Sequence, residues 1–166
     1  LPTNSFGQNF NVTMIQMASA FASVINGGYY YQPHLVTKIV DENGNTVQTV
    51  EPTVLKQTVS NEVSDTVRGY LIKAVEEGSG QSAKVPGYSM GGKTGTAEKQ
   101  PRDENTYLVS FMGFAPAEDP EVLIYVVVNE PNAERQDRSI YATPLAKDIL
   151  TEILPYLNIY PDEPIT

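Results

Sequence analysis

Apolar residues recur at helical spacing near the start of the chain, at Met14, Met17, Ala18, Phe21, Ala22 and Ile25. That spacing marks one buried helix face and predicts a helix over about Met14–Asn26. Thr13 and Gln16 stand at capping-box spacing, where each side chain can satisfy an unpaired N–H of the first turn. Asn26-Gly27-Gly28 then offers residues that tolerate the left-handed conformation in which helices end. Two short strands follow, around Leu35–Val40 and Thr46–Val50, with the hairpin signal Asn43-Gly44 between them. A second helix is expected over about Asn61–Glu77, capped by Ser60 and stopped by Gly78. Its buried stripe is read as Val63, Val67, Tyr70, Leu71 and Ala74.

The period then changes to two. Tyr88–Lys99, Thr106–Ala115 and Glu121–Glu130 read as strands, the last two joined by the turn former Pro116-Ala117-Glu118-Asp119-Pro120. Val122–Val128 has no polar alternation, which suits a strand covered on both faces. A last helix is expected to start with Thr143 as cap and Pro144 at its first position. Leu145, Ile149 and Ile153 form its expected buried face, and Pro155 its end. Adjacent antiparallel strands with helices before and after make an α+β class, a three-strand meander packed with helices.

Composition narrows the function classes. The chain has 166 residues, fitting one domain or one large piece of a domain, and its 40% hydrophobic content is enough for a core. Its formal charge is −9, from 20 acidic residues against 11 basic ones. Such a chain repels phosphate backbones, so no nucleic-acid partner is expected. There is no Cys, hence no disulfide and no thiolate-held metal, and no cofactor is expected. The longest apolar run, Val122–Val128, is far shorter than the ~20 residues that cross a bilayer. The sequence opens on Leu1-Pro2-Thr3 without an initiator Met and reads as excised from something longer.

The candidate chemistry lies in Gly87-Tyr88-Ser89-Met90-Gly91-Gly92-Lys93-Thr94-Gly95-Thr96, which satisfies three patterns at once. Gly87 to Thr94 fits the phosphate-binding loop, but that loop needs a strand before it and a helix after it. Upstream runs Gly78-Ser79-Gly80; downstream, Gly95 and Pro101 stand where the helix should be. Gly87 to Gly91 fits the nucleophile elbow, which needs a base later in the chain. The one histidine, His34, comes earlier, so Ser89 reads as an ordinary strand residue. The third pattern is Lys93-Thr94-Gly95 on a strand, weak as a tripeptide but placed on the first strand of the meander.

Around it, further segments resemble class B penicillin-binding proteins. Ser5-Phe6-Gly7-Gln8, Val12-Thr13-Met14-Ile15-Gln16-Met17-Ala18 and Asn26-Gly27-Gly28 resemble the lead-in, body and exit of a helix in that family. Glu77-Gly78-Ser79-Gly80 resembles its Gly-Thr-Gly segment, with Ser79 in place of Thr. Gly92-Lys93-Thr94-Gly95-Thr96-Ala97 resembles its substrate strand, and Ser110 to Ala117 with Asp119-Pro120 its next strand and turn. The likeness is colinear over essentially the whole chain. It implies a partial penicillin-binding/β-lactamase-like transpeptidase domain, with residues 1–166 as its C-terminal part. No Ser-x-x-Lys and no Ser-x-Asn occurs anywhere; in the family both motifs precede the segment resembling Ser5–Gln8.

The resemblance implies a parent D,D-transpeptidase that cross-links peptidoglycan stem peptides through a serine acyl-enzyme and is trapped by β-lactams. It further implies Lys93 as a catalytic cation and Thr94, Gly95 and Thr96 as substrate-binding residues, with the Thr96 N–H resembling the family's oxyanion donor. The parent would be anchored in the bacterial cytoplasmic membrane with this domain on the outer face. Its partners would be stem peptides, β-lactams and the missing N-terminal half of the domain, and the chain alone is expected to be inactive. A non-catalytic module binding wall peptide or protein on the same sheet is the alternative.

Overall fold

The computed structural model describes residues 4, 7, 10–101 and 105–164. Helix α1 runs Met14–Ile25, opened by the expected capping box: Gln16 N–H donates to the Thr13 hydroxyl and Thr13 N–H to Gln16 Oε1. It ends at Asn26, where Gly27 and Gly28 take positive φ of 87° and 94°. Strand β1 (Tyr29–Tyr31) pairs antiparallel with β4 (Val54–Gln57), two short strands that the periodicity did not show. Inside that loop, β2 (Lys38–Val40) and β3 (Thr46–Thr49) form the expected hairpin, with Gly44 at φ 83°. The first of these strands starts later than Leu35, which is fully exposed.

Helix α2 spans Asn61–Glu76, with the Ser60 hydroxyl accepting from Val63 N–H as its cap. Its buried stripe is Ser64, Leu71 and Val75, while Val63 and Tyr70 face solvent. Ser64 goes inside because its hydroxyl donates to the Val24 carbonyl and accepts from Gly27 N–H, tying α2 to the end of α1. The meander β5 (Gly91–Glu98), β6 (Tyr107–Ala115) and β7 (Val122–Asn129) follows, in the order β5-β6-β7. Residues 88–90, expected in the first strand, form the irregular segment between a turn at 86–87 and that strand instead.

Side chains alternate across a sheet, so register assigns each residue to a face. On one face Gly91, Phe114 and Leu123 align, and Phe114 packs with Phe21, Ile25 and Leu71 from α1 and α2. On the other, Thr94, Phe111 and Val126 align. There Phe111 and Val126 pack with Ala146, Leu150 and Leu154 of helix α3 (Thr143–Tyr156). β7 is therefore covered on both faces, as its unbroken apolar run suggested. Helix α3 departs from expectation in three ways. Pro155 lies within its last turn, and Leu145 and Ile153 are partly exposed because the helix is rotated to bury the neighbouring Ala146, Leu150 and Leu154. Thr143 is its first residue rather than its cap, with its hydroxyl donating to the Ser139 carbonyl.

After α3 the chain returns to the turn before β5. Asp162 N–H and Glu163 N–H both donate to the Gly87 carbonyl at 3.0 Å, and the Tyr88 hydroxyl donates to the Ile159 carbonyl. The Asp162 carboxylate accepts from Ser89 N–H at 2.7 Å and from the Ser89 hydroxyl. Burial pushes the Asp162 carboxyl up, but the hydrogen bonds from Ser89, with Lys84 nearby, outweigh it and hold it below its ordinary value of 3.8. A carboxyl depressed in the folded state adds stability above its unfolded value and loses it as pH falls through the folded one. The join also carries the Lys84–Glu163 ion pair at 2.7 Å. Asp162→Asn is expected to soften the loss of thermal stability below about pH 4. An acid limb identical to wild type in a denaturation series contradicts that.

Candidate functional site

The start of β5 is shaped by two glycines. A Cβ on Gly91 would lie 2.2 Å from the Phe114 ring, and one on Gly92 2.6 Å from the Phe111 ring and 2.7 Å from the Met112 carbonyl oxygen. The two phenylalanines thus press on the strand from opposite faces, immediately before Lys93. Glycine is required here so that both rings can reach the backbone.

Lys93, Thr94, Gly95 and Thr96 all lie on β5, and the structure brings them to one groove of about 570 Å³. By register Leu108, Ser110, Met112 and Tyr125 share the face of Lys93, Gly95 and Ala97, so the groove lies over that face, and through Thr94 and Thr96 it reaches the outer side of β5. β5 is an outer strand of its sheet, with β6 on its other side. The opposite wall comes from α1 and the segment before it, through Asn11, Met17 and Phe21, and the floor from Ser110 and Tyr125.

Register puts Lys93 and Gly95 on the face shared with Met112 and Ser110, and Thr94 and Thr96 on the face shared with Phe111 and Val109. Lys93 is exposed, and its ammonium donates to the Thr94 carbonyl at 2.7 Å. It is the one charged residue among the described residues lining the groove. The Thr94 hydroxyl is 2.8 Å from that of Ser79, in the turn after α2. A Cβ on Gly95 would come within 2.6 Å of Ser110 Oγ, so a bare backbone keeps the floor open at that point. Burial pushes the Tyr125 phenol up from its ordinary value, while a hydrogen bond with Ser110 pulls the other way. One ammonium, several hydroxyls and an open strand edge suit an extended peptide that carries a carboxylate.

The rival patterns do not form. Residues from Gly91 to Glu98 are strand, so no glycine loop opens a helix at Lys93. Ser89 is neither the ordinary strand residue expected nor an exposed nucleophile. It sits in the irregular segment before β5, donating to Asp162 and accepting from Ala117 N–H at 2.8 Å. His34 is exposed between β1 and β2, near the Gln32 carbonyl, and does not line the groove.

The family model described as the penicillin binding protein transpeptidase domain matches residues 2–151. The chain belongs to that family. Stage V sporulation protein D of Bacillus subtilis is 40% identical over 163 residues, covering 96% of this chain and 25% of that protein. The probable peptidoglycan D,D-transpeptidase PenA of Neisseria meningitidis serogroup A is 29% identical over 99% of this chain and 27% of its own length. The D,D-transpeptidase domain of a peptidoglycan glycosyltransferase from Eggerthella lenta superposes with a TM-score of 0.75 at 33% identity. It covers 89% of this chain and 33% of that one. A peptidoglycan glycosyltransferase from Burkholderia ambifaria gives 0.76 at 29% identity, over 98% of this chain and 46% of that one. The chain therefore spans about a quarter of the length of the curated relatives it matches.

Within this transpeptidase domain, the α+β meander and the strand position of Lys93-Thr94-Gly95 agree with the sequence reading. The segment resembling the family's helix lead-in, Ser5, Phe6 and Gln8, lies outside the described residues. Sequence reasoning did not find Tyr125 or Ser110 as groove floor, nor the Ser79–Thr94 contact. Ser110 could have been found by counting register back from the strand ends. Tyr125 looked like one more apolar position in a buried run.

Proposed function

We propose that this chain supplies the substrate strand of a peptidoglycan D,D-transpeptidase whose serine nucleophile lies in sequence outside these residues. The reading makes residues 1–166 the C-terminal part of the domain. One observation carries it: Lys93, the lone cation among the described residues of the groove, lines it together with Thr94, Gly95 and Thr96 on β5, an outer strand of its sheet.

In the proposed reaction the serine hydroxyl attacks the carbonyl of a D-Ala-D-Ala stem end, and the terminal D-Ala leaves with its electron pair and a proton. The amine of a second stem then attacks the acyl-serine and releases the hydroxyl, forming the cross-link. Splitting the transfer in two gives each step a lower barrier. Lys93 holds positive charge beside the serine and the substrate carboxylate. Thr94 and Thr96 offer hydroxyls to that carboxylate, Thr94 being held by Ser79. Gly95 lets the peptide lie close to the strand, and Thr96 N–H polarises the carbonyl under attack. A β-lactam enters by the same route and stops at the acyl stage. We place the whole protein in the bacterial cytoplasmic membrane with this domain on the outer face.

Incubation with a fluorescent penicillin followed by denaturing electrophoresis tests the proposal. The full-length protein is expected to carry a covalent label, and the isolated chain none. Label on the isolated chain would show a nucleophile among these residues and overturn the assignment. No label on the full-length protein would favour a binding module without chemistry.

A further inference from the structure

Residues 159–163 lie beyond the matched part of the family model, which stops at 151. They are nevertheless bonded to the segment before β5 at several points. Gly87 accepts two backbone hydrogen bonds from them, Tyr88 donates one to the Ile159 carbonyl, and Lys84 pairs with Glu163. At the centre Asp162 takes both the N–H and the hydroxyl of Ser89, and the same hydroxyl accepts from Ala117 in the turn between β6 and β7. Ser89, which matched the nucleophile pattern, thus joins three separate pieces of chain.

We propose that Asp162 is a positioning residue for the substrate strand, acting through Ser89. The inference rests on the proposed function for its consequence, though not for its geometry. An outer strand has hydrogen bonds along one edge only, so the placing of the free edge depends on how its ends are held. Phe111 and Phe114 fix the start of β5 across the sheet faces. The Asp162–Ser89–Ala117 chain holds the segment that leads into it, a short stretch before Lys93. Charge-assisted hydrogen bonds are about twice as strong as neutral ones, which suits a carboxylate as the holding group. A shift of about 1 Å at reacting groups costs up to ~10² in rate.

The test uses the full-length protein and the acylation kinetics of a β-lactam, separating binding (Ks) from the acylation step (k2), beside hydrogen exchange of the β5 amides. Asp162→Ala is expected to lower k2 by about tenfold with Ks little changed, and to speed exchange in β5. Asp162→Asn keeps one acceptor for Ser89 N–H without the charge, so it is expected to recover part of k2 and part of the β5 protection in step, with Ks little changed, whereas a role in bulk stability alone would leave k2 of the folded protein unchanged. It also serves if the alanine variant does not fold. Unchanged k2 and unchanged β5 exchange in Asp162→Ala overturn the proposal, as does an equal fall in both variants. Should the wild-type protein fail to acylate at all, the function assigned above falls. The strap is then judged on exchange alone, where faster β5 exchange supports it and unchanged exchange overturns it.

Discussion

Lys93→Ala in the full-length protein is expected to slow acylation by penicillin on the order of 10²–10³-fold, the usual cost of removing one preorganised electrostatic group. Lys93 is the single charge among the described residues of the groove, so no neighbour there can replace it. The surrounding molecule is acidic, with a formal charge of −9, and would otherwise repel a carboxylate. Its side chain stands on an exposed part of β5, so the variant should fold with little loss of stability. Lys93→Arg is not expected to restore the rate, because a planar guanidinium does not fill the place of a compact ammonium. Second-order acylation rates measured by the labelling assay decide it. A rate close to wild type for Lys93→Ala would remove the lysine from the mechanism.

The second large effect concerns stability. Phe111→Ala is expected to destabilise the domain by about 3–5 kcal/mol, the range for truncating a buried aromatic. Phe111 is fully buried. Its ring occupies the space that a Cβ on Gly92 or Gly113 would need, 2.6 Å and 2.5 Å away. Removing it leaves a cavity against two glycines that have no side chain to relax into it. The same loss frees the start of β5, so acylation should fall with stability. Thermal denaturation of the full-length variant, followed through this domain, measures it; a midpoint within error of wild type contradicts the packing described.

Local signals were legible and long-range ones were not. The capping box at Thr13 and Gln16, the Ser60 cap and the Asn43-Gly44 hairpin each depend on residues a few positions apart, and each forms. Helix faces were harder. Two stripes offset by one residue look alike when both are apolar, and the partner chooses between them. In α3 the meander selects Ala146, Leu150 and Leu154; in α2 a polar residue, Ser64, goes inside because α1 and the glycine turn after it each offer it a backbone partner. No hydrophobicity pattern announces a buried serine. Strands β1 and β4 were missed because each is too short to show a period and exists through its pairing with the other.

The candidate site divides in the same way. Lys93 to Thr96 could be read because the strand is continuous in sequence. The groove around it could not, since Met17, Ser110 and Tyr125 come from separate elements, as does Ser79, which holds Thr94. Ser89 shows the converse: a sequence match to a nucleophile motif turned out to be a structural join, with Asp162 as its partner far along the chain.

The most direct measurement is a crystal structure of the full-length protein after reaction with a penicillin. It should show the drug opened on a serine outside these residues, lying along the free edge of β5, with its carboxylate in reach of Lys93, Thr94 or Thr96. An acylated protein whose drug lies away from that edge would contradict the role given to this strand.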